Sequence, residues 1–199
     1  MTSRWNEYYH LSKGENPEYD TRQPNANEKK ILKLLVFFQM TYLGAPMVYY
    51  GSEAGMYGAN DPCCRKPMIW PDIGYENDAT APDGHQRKNV FKVSFDAGLH
   101  EHYRRCIQLR NRYEALQLGD YTTVLADDEK EILAFLRTYK GEQALVIMNN
   151  SMEPQKVKLP VNKGSGWKDP LTQETYKPLE GVINLELEEL SGRVLITTL

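Results

Sequence analysis

Apolar residues recur at helical spacing between residues 28 and 42, at Ile31, Leu34, Leu35, Phe38 and Tyr42. Val36, Phe37 and Met40 widen that stripe, so this helix wants cover on more than one side. Asn25 or Asn27 supplies its N-cap, with Glu28 in the first turn. Gly44 and Pro46 stop it, and Met47-Val48-Tyr49-Tyr50 then reads as a short, fully buried strand of the parallel kind. Gly51, Gly55 and Gly58 release the backbone into a long loop, and residues 71–88 are rich in turn formers and exposed. A second helix runs over about 97–114, capped by Asp96 or an earlier residue, with Leu99, Tyr103, Cys106, Ile107 and Arg110 along one side. Its arginines, Arg104, Arg105, Arg110 and Arg112, read as a solvated basic face that suits the helix C-terminus.

From Leu116 the period changes. Runs rich in β-formers appear at Tyr121–Leu125, Ile132–Tyr139, Ala144–Met148, Gln155–Leu159, Val182–Leu187 and Arg193–Thr198, separated by turn formers such as Lys140-Gly141 and Glu180-Gly181. Six such runs in roughly 80 residues predict an antiparallel β-sandwich. The expected organisation is α/β plus all-β: residues 1–115 form the first part and residues 116–199 the second.

The first part is too short to close on itself. One parallel-type strand has no neighbour to take its backbone hydrogen bonds, and a closed (β/α)8 barrel takes about 250 residues. The expectation is therefore an incomplete barrel segment, carrying the tail of a longer protein.

Composition narrows the function. Lys plus Arg number 24 against 27 Asp plus Glu, a net charge of −3, which argues against a nucleic-acid partner. No run approaches the ~18 apolar residues of a membrane span. Met1 to Trp5 lacks the apolar core of a signal peptide, and the compartment stays open. The three cysteines, Cys63, Cys64 and Cys106, make neither a closed disulfide set nor zinc spacing. Asp127-Asp128-Glu129 lacks the alternating ligands of a calcium loop and reads as a turn. No metal or cofactor is expected.

The chemistry gathers after Tyr49. Glu53, Asp61, Arg65 and Asp72 lie beside Tyr49, Tyr50, Tyr57 and Trp70. Carboxylates accept from paired sugar hydroxyls, arginine donates to them, and aromatic faces stack on the apolar side of a pyranose. Asp61 and Arg65 equally suit a structural clamp that shapes the loop, and residue types alone leave both open. The 13 Tyr, five Phe and three Trp serve sugar rings or, more commonly, ordinary cores.

These residues carry a resemblance. Gly44-x-Pro46-x-x-Tyr49-Tyr50-Gly51-x-Glu53-x-Gly55, followed by Asp61-Pro62-x-x-Arg65-x-Pro67-Met68-x-Trp70, resembles the eighth-strand region of the α-amylase family, glycoside hydrolase family 13. The second motif is most similar to the neopullulanase, cyclomaltodextrinase and maltogenic amylase branch. Tyr103 to Tyr121 resembles the last barrel helix and the entry into the C-terminal β domain, and Phe135-x-Arg137 and Val146-x-x-Asn149-Asn150 resemble its strands.

The resemblance implies the C-terminal segment of a TIM barrel followed by a β-sandwich, in a retaining hydrolase of α-glucans such as starch, pullulan, cyclodextrins and maltooligosaccharides. It implies that Asp61 and Arg65 bind substrate, and that Glu53 and Tyr50 support the site. The three catalytic carboxylates of the family lie on strands four, five and seven. No motif here matches them, so no catalytic residue is assigned, and the chain by itself is expected to be inactive. One departure stands at Ser52, where the family commonly has Asp. The competing reading is a non-catalytic carbohydrate-binding or scaffold protein using the sandwich, with Trp167 and Tyr176 as its aromatic candidates, both of which also fit a core. The uncovered apolar surface of the barrel segment predicts self-association.

Overall fold

The computed structural model describes residues 22–58, 64–80, 86–162 and 166–198. They fall into two compact units: one holds the described residues up to Leu32 with Met47–His102, the other Lys33–Pro46 with Tyr103–Leu199.

Helix α1 spans Ala26–Thr41 and α2 spans Ala97–Arg112. A capping box starts α1: the Glu28 N–H donates to Asn25 Oδ1 (3.0 Å), and the Asn25 N–H donates to Glu28 Oε2 (2.8 Å). Asp96 caps α2, its Oδ1 accepting from the Leu99 N–H at 2.9 Å, while its Oδ2 meets Lys29 Nζ at 2.7 Å. The short helix α3, Glu114–Leu118, follows. In the first unit two strands the turn-rich pattern concealed, β1 (Asp78–Thr80) and β2 (Gln86–Phe91), pair antiparallel.

The predicted strand at Met47–Tyr50 is absent. The segment has no regular structure and pairs with no strand, and Met47 is 76% exposed. A buried parallel strand needs neighbours on both sides, and among the described residues there is no parallel sheet to provide them. The barrel segment expected from residues 1–115 is thus not visible as a barrel: its described part is helices, irregular chain and one hairpin.

The second unit holds the strands the pattern foretold. They are β3 (Asp120–Asp127), β4 (Ile132–Tyr139), β5 (Glu142–Asn149), β6 (Gln155–Pro160), β9 (Val182–Leu187) and β10 (Ser191–Thr198); two short strands that the pattern did not mark, β7 (Gly166–Lys168) and β8 (Thr175–Tyr176), lie between β6 and β9. Six form one antiparallel sheet in the order β3-β4-β5-β10-β7-β8, and β6 pairs with β9 in a two-stranded sheet. Lys140 and Gly141 both have positive φ, 47° and 90°, which gives the tight β4–β5 hairpin its two-residue turn.

Alternation along the central strands builds two cores. Ile132, Ala134, Leu145, Ile147 and Leu195 meet Val157, Leu159, Ile183, Leu185 and Leu187 of the small sheet. The opposite face of the large sheet receives the end of α1. A Cβ on Gly192 of β10 would stand 2.4 Å from the Phe37 ring, and the Tyr42 ring lies edge-on to Phe135 at 5.8 Å. Buried on both faces, β4 and β5 therefore show near-continuous apolar runs.

Two buried arginines close the end of α1, where the last carbonyls lack helical partners. Arg110 donates to the carbonyls of Met40 (2.9 Å), Tyr42 (3.1 Å) and Gly44 (2.6 Å). Arg137 donates to Thr41 O (2.8 Å), Leu116 O (3.2 Å) and Gly119 O (2.9 Å). The reading of Arg110 as part of a solvated face is thereby corrected: it is a buried helix-end cation. Burial pulls both guanidinium pKa values below the ordinary arginine range, and in Arg137 the nearby Arg110 adds to the effect.

Candidate functional site

The site is built on a glycine turn. The Ser52 N–H donates to Tyr49 O at 3.1 Å and the Met56 N–H to Gly51 O at 2.9 Å. Gly51 (φ +78°) and Gly55 (φ +81°) hold conformations that side chains resist, and a Cβ on Gly55 would stand 2.6 Å from that of Asp96. The turn leaves Tyr49 and Tyr50 as a ring pair, centroids 4.9 Å apart and planes tilted by 49°. Both are open to solvent, at 37% and 43% exposure.

Tyr50 connects this pair to the next segment, its hydroxyl donating to Lys66 O at 3.0 Å. Arg65, the residue before, is exposed and acts electrostatically on Tyr49. The Tyr49 phenol is held above its ordinary range by desolvation first, then by Tyr50 and Cys64, with Arg65 pulling the other way. Two tilted aromatic faces beside a guanidinium can stack on a sugar ring and donate to its hydroxyls. Glu53 is half-buried, and its Oε2 is enclosed without a hydrogen-bond donor. Asp61 lies outside the described residues, so the structure brings together Tyr50, Arg65 and their neighbours but does not address the Asp61–Arg65 pair.

Behind this rim sits a cluster of which the sequence reading singled out only Tyr57. Lys66 Nζ stands 4.4 Å from the centre of the buried Tyr57 ring and 3.5 Å from Asp78 Oδ2. Arg87 Nε donates to Asp78 Oδ1 at 3.1 Å across the β1–β2 hairpin. The Tyr57 hydroxyl is buried without a hydrogen-bond partner. Burial, and then the Asp78 carboxylate, push that phenol up to about 12. The only signal in the sequence was two opposite charges nine positions apart in a segment without periodicity, too little to mark a site.

In the second unit neither of the two aromatic candidates, Trp167 and Tyr176, stands open as a platform. Trp167 is 1% exposed and lies in the core, and Tyr176 packs against the same core from its edge. The Tyr176 hydroxyl donates to Glu174 Oε2 at 2.7 Å; burial and then that carboxylate push its phenol up to about 12. A cleft of about 250 Å³ lined by Val124, Leu136, Gln143, Asn162 and Trp167 opens there with largely aliphatic walls.

Comparison with known proteins gives a consistent set of similarities. Residues 121–194 match the family described as Maltogenic Amylase, C-terminal domain. The chain is 38% identical over 171 residues to neopullulanase 2 of Thermoactinomyces vulgaris, covering 85% of this chain and 26% of that protein. It is 35% identical over 136 residues to a cyclomaltodextrinase of Geobacillus thermopakistaniensis, covering 68% of this chain and 20% of the relative. A solved cyclomaltodextrinase structure superposes with a TM-score of 0.71 at 26% identity, covering 86% of this chain and 26% of the other. The chain thus spans about a quarter of the length of the curated relatives it matches.

Proposed function

We propose, from the premise that this chain corresponds to the C-terminal part of the α-amylase-family glycoside hydrolases, in the neopullulanase, cyclomaltodextrinase and maltogenic amylase branch, that it serves as that part of an α-glucan hydrolase. In this reading residues 1–115 are the last segment of a TIM barrel and residues 116–199 its C-terminal β domain. Met47–Tyr50 is the eighth strand, which gains hydrogen-bonding neighbours only from barrel strands that this chain does not contribute. Asp61 and Arg65 contact the glucan, while Glu53 and Tyr50 support them. The nucleophile and acid/base carboxylates of the retaining reaction come from the rest of the barrel, so the chain alone does not hydrolyse glucans. Its exposed Met47, Trp70 and Ile73 leave it prone to self-association.

The observation that carries the reading is the exposed Tyr49–Tyr50 ring pair with Arg65 beside it, tied through the Tyr50 hydroxyl to Lys66. The test compares the purified 199-residue chain with a polypeptide in which it follows the remaining barrel. Reducing-sugar release from pullulan, starch and cyclodextrin is expected only from the longer polypeptide, and light scattering should show the short chain larger than a monomer. Turnover by the short chain would refute the division of labour. Full activity of the longer polypeptide with Arg65→Ala, at unchanged KM, would remove Arg65 from the binding site.

A further inference from the structure

We propose that Asp78, at the head of β1, is a positioning residue for the sugar-contacting segment: it grips Lys66 and thereby sets where the adjacent Arg65 is presented. This rests on the reading of Arg65 given above.

Lys66 is held from three directions. Its carbonyl accepts from the Tyr50 hydroxyl at 3.0 Å, its ammonium lies over the Tyr57 ring at 4.4 Å, and the same ammonium pairs with Asp78 Oδ2 at 3.5 Å. One residue is thus tied to the exposed tyrosine pair, the glycine turn and the hairpin at once. Moving its backbone moves Arg65.

The hairpin end of this arrangement is built to stay in place. The Asp78 and Arg87 side chains are each 13% exposed and bonded at 3.1 Å, and Asp78 faces Phe91 in the strand register. Arg87 lies over the Phe91 ring at 5.7 Å, and Phe91 meets Tyr57 edge-on at 6.5 Å. Arg87 occupies one carboxylate oxygen. The other makes no hydrogen bond of good geometry; Lys66 is the cation beside it, and the Tyr57 hydroxyl is a neighbour of the same carboxylate. Asp78 is enclosed while Lys66 is 38% exposed, so solvent screens their pair in part and the grip acts through its geometry rather than its strength. A hairpin needing only internal stability would be served by the Asp78–Arg87 bond. The second oxygen makes Asp78 a bridge between hairpin and loop.

The experiment uses the full hydrolase polypeptide containing this chain and measures initial rates on maltooligosaccharides. Arg65→Ala first sets the scale, with KM expected to rise about tenfold. Asp78→Asn should then raise KM about fivefold with kcat changed less than about twofold, as expected when ground-state and transition-state binding weaken together. Asp78→Glu should recover most of the loss, and Asp78→Asn added to Arg65→Ala should give no further rise. Should Asp78→Asn fail to fold, Lys66→Met removes the same link from its more exposed end, with the same expected KM. A wild-type KM in both link variants, beside a raised KM in Arg65→Ala, would overturn the positioning role and leave the reading of Arg65 standing. Full additivity with Arg65→Ala would overturn it too, by showing that Asp78 acts elsewhere. An unchanged KM in Arg65→Ala would bring down the reading of Arg65 itself, and this inference with it.

Discussion

Arg137 spends its hydrogen bonds on three backbone carbonyls, with no carboxylate among them. Its position in β4, beside Phe135 and two residues from it, puts both on the sheet face that meets α1. A motif match could mark Arg137, but the spacing of charges could not, because its partners come from residues as far back as Thr41. The same holds for Arg110, whose place in a basic run suggested solvent. Buried weak acids have a different consequence at this scale. Tyr57, Cys106 and Tyr176 are each held to about 12, in every case by burial first. Such groups keep their protons in the folded chain at pH values where the unfolded chain has released them. Folding is therefore favoured fully below about pH 9, and the advantage is lost as pH rises toward 12. Denaturant melts at pH 8 and pH 11 should show a clear fall in midpoint, and Tyr176→Phe should flatten the slope in the second unit. A midpoint independent of pH over that range would refute these shifts.

At the scale of elements, the two long helices and six antiparallel strands were legible, while the parallel strand read at Met47–Tyr50 does not form. Helix α1 announces itself by period and by Asn25 and Glu28, both local signals. Most strands of the second unit alternate and are punctuated by turns, local signals that mark them even where the partner is distant, as β10 is from β5. Met47–Tyr50 has the composition of a buried strand, but composition specifies burial only when neighbours are present to supply it. The hairpin β1–β2 was missed for the opposite reason: Asp78–Thr80 and Gln86–Phe91 are too polar to register as strands. Helix and sheet meet most closely at Gly192. A Cβ there would lie 2.4 and 2.5 Å from two atoms of the Phe37 ring. Gly192→Ala should thus destabilise the second unit by about 1–3 kcal/mol, the usual cost of overpacking, read as a lower denaturant midpoint. An alanine variant as stable as the parent would mean that Phe37 can move aside freely. Of the candidate site, the tyrosine pair and Arg65 were visible as residue types in a motif, whereas Lys66, Asp78 and Arg87 emerge only once the hairpin folds.

For the whole molecule, one feature reaches beyond stability. A single helix serves both units: α1 gives its first turns to one and its last to the other, the division falling between Leu32 and Lys33. No helix among the described residues is long and apolar enough to cross a membrane. The consequence concerns where the chain can be cut. A β domain excised at Leu116 would lose Phe37 from its sheet face and the Thr41 carbonyl from Arg137. A gene cut there would yield a protein with an open wound on that face. A synthetic peptide spanning residues 26–46, supplied in trans to residues 103–199, should heal it and raise the melting temperature in proportion to peptide added. The seam along which this unit could be exchanged between polypeptides therefore runs through the middle of a helix.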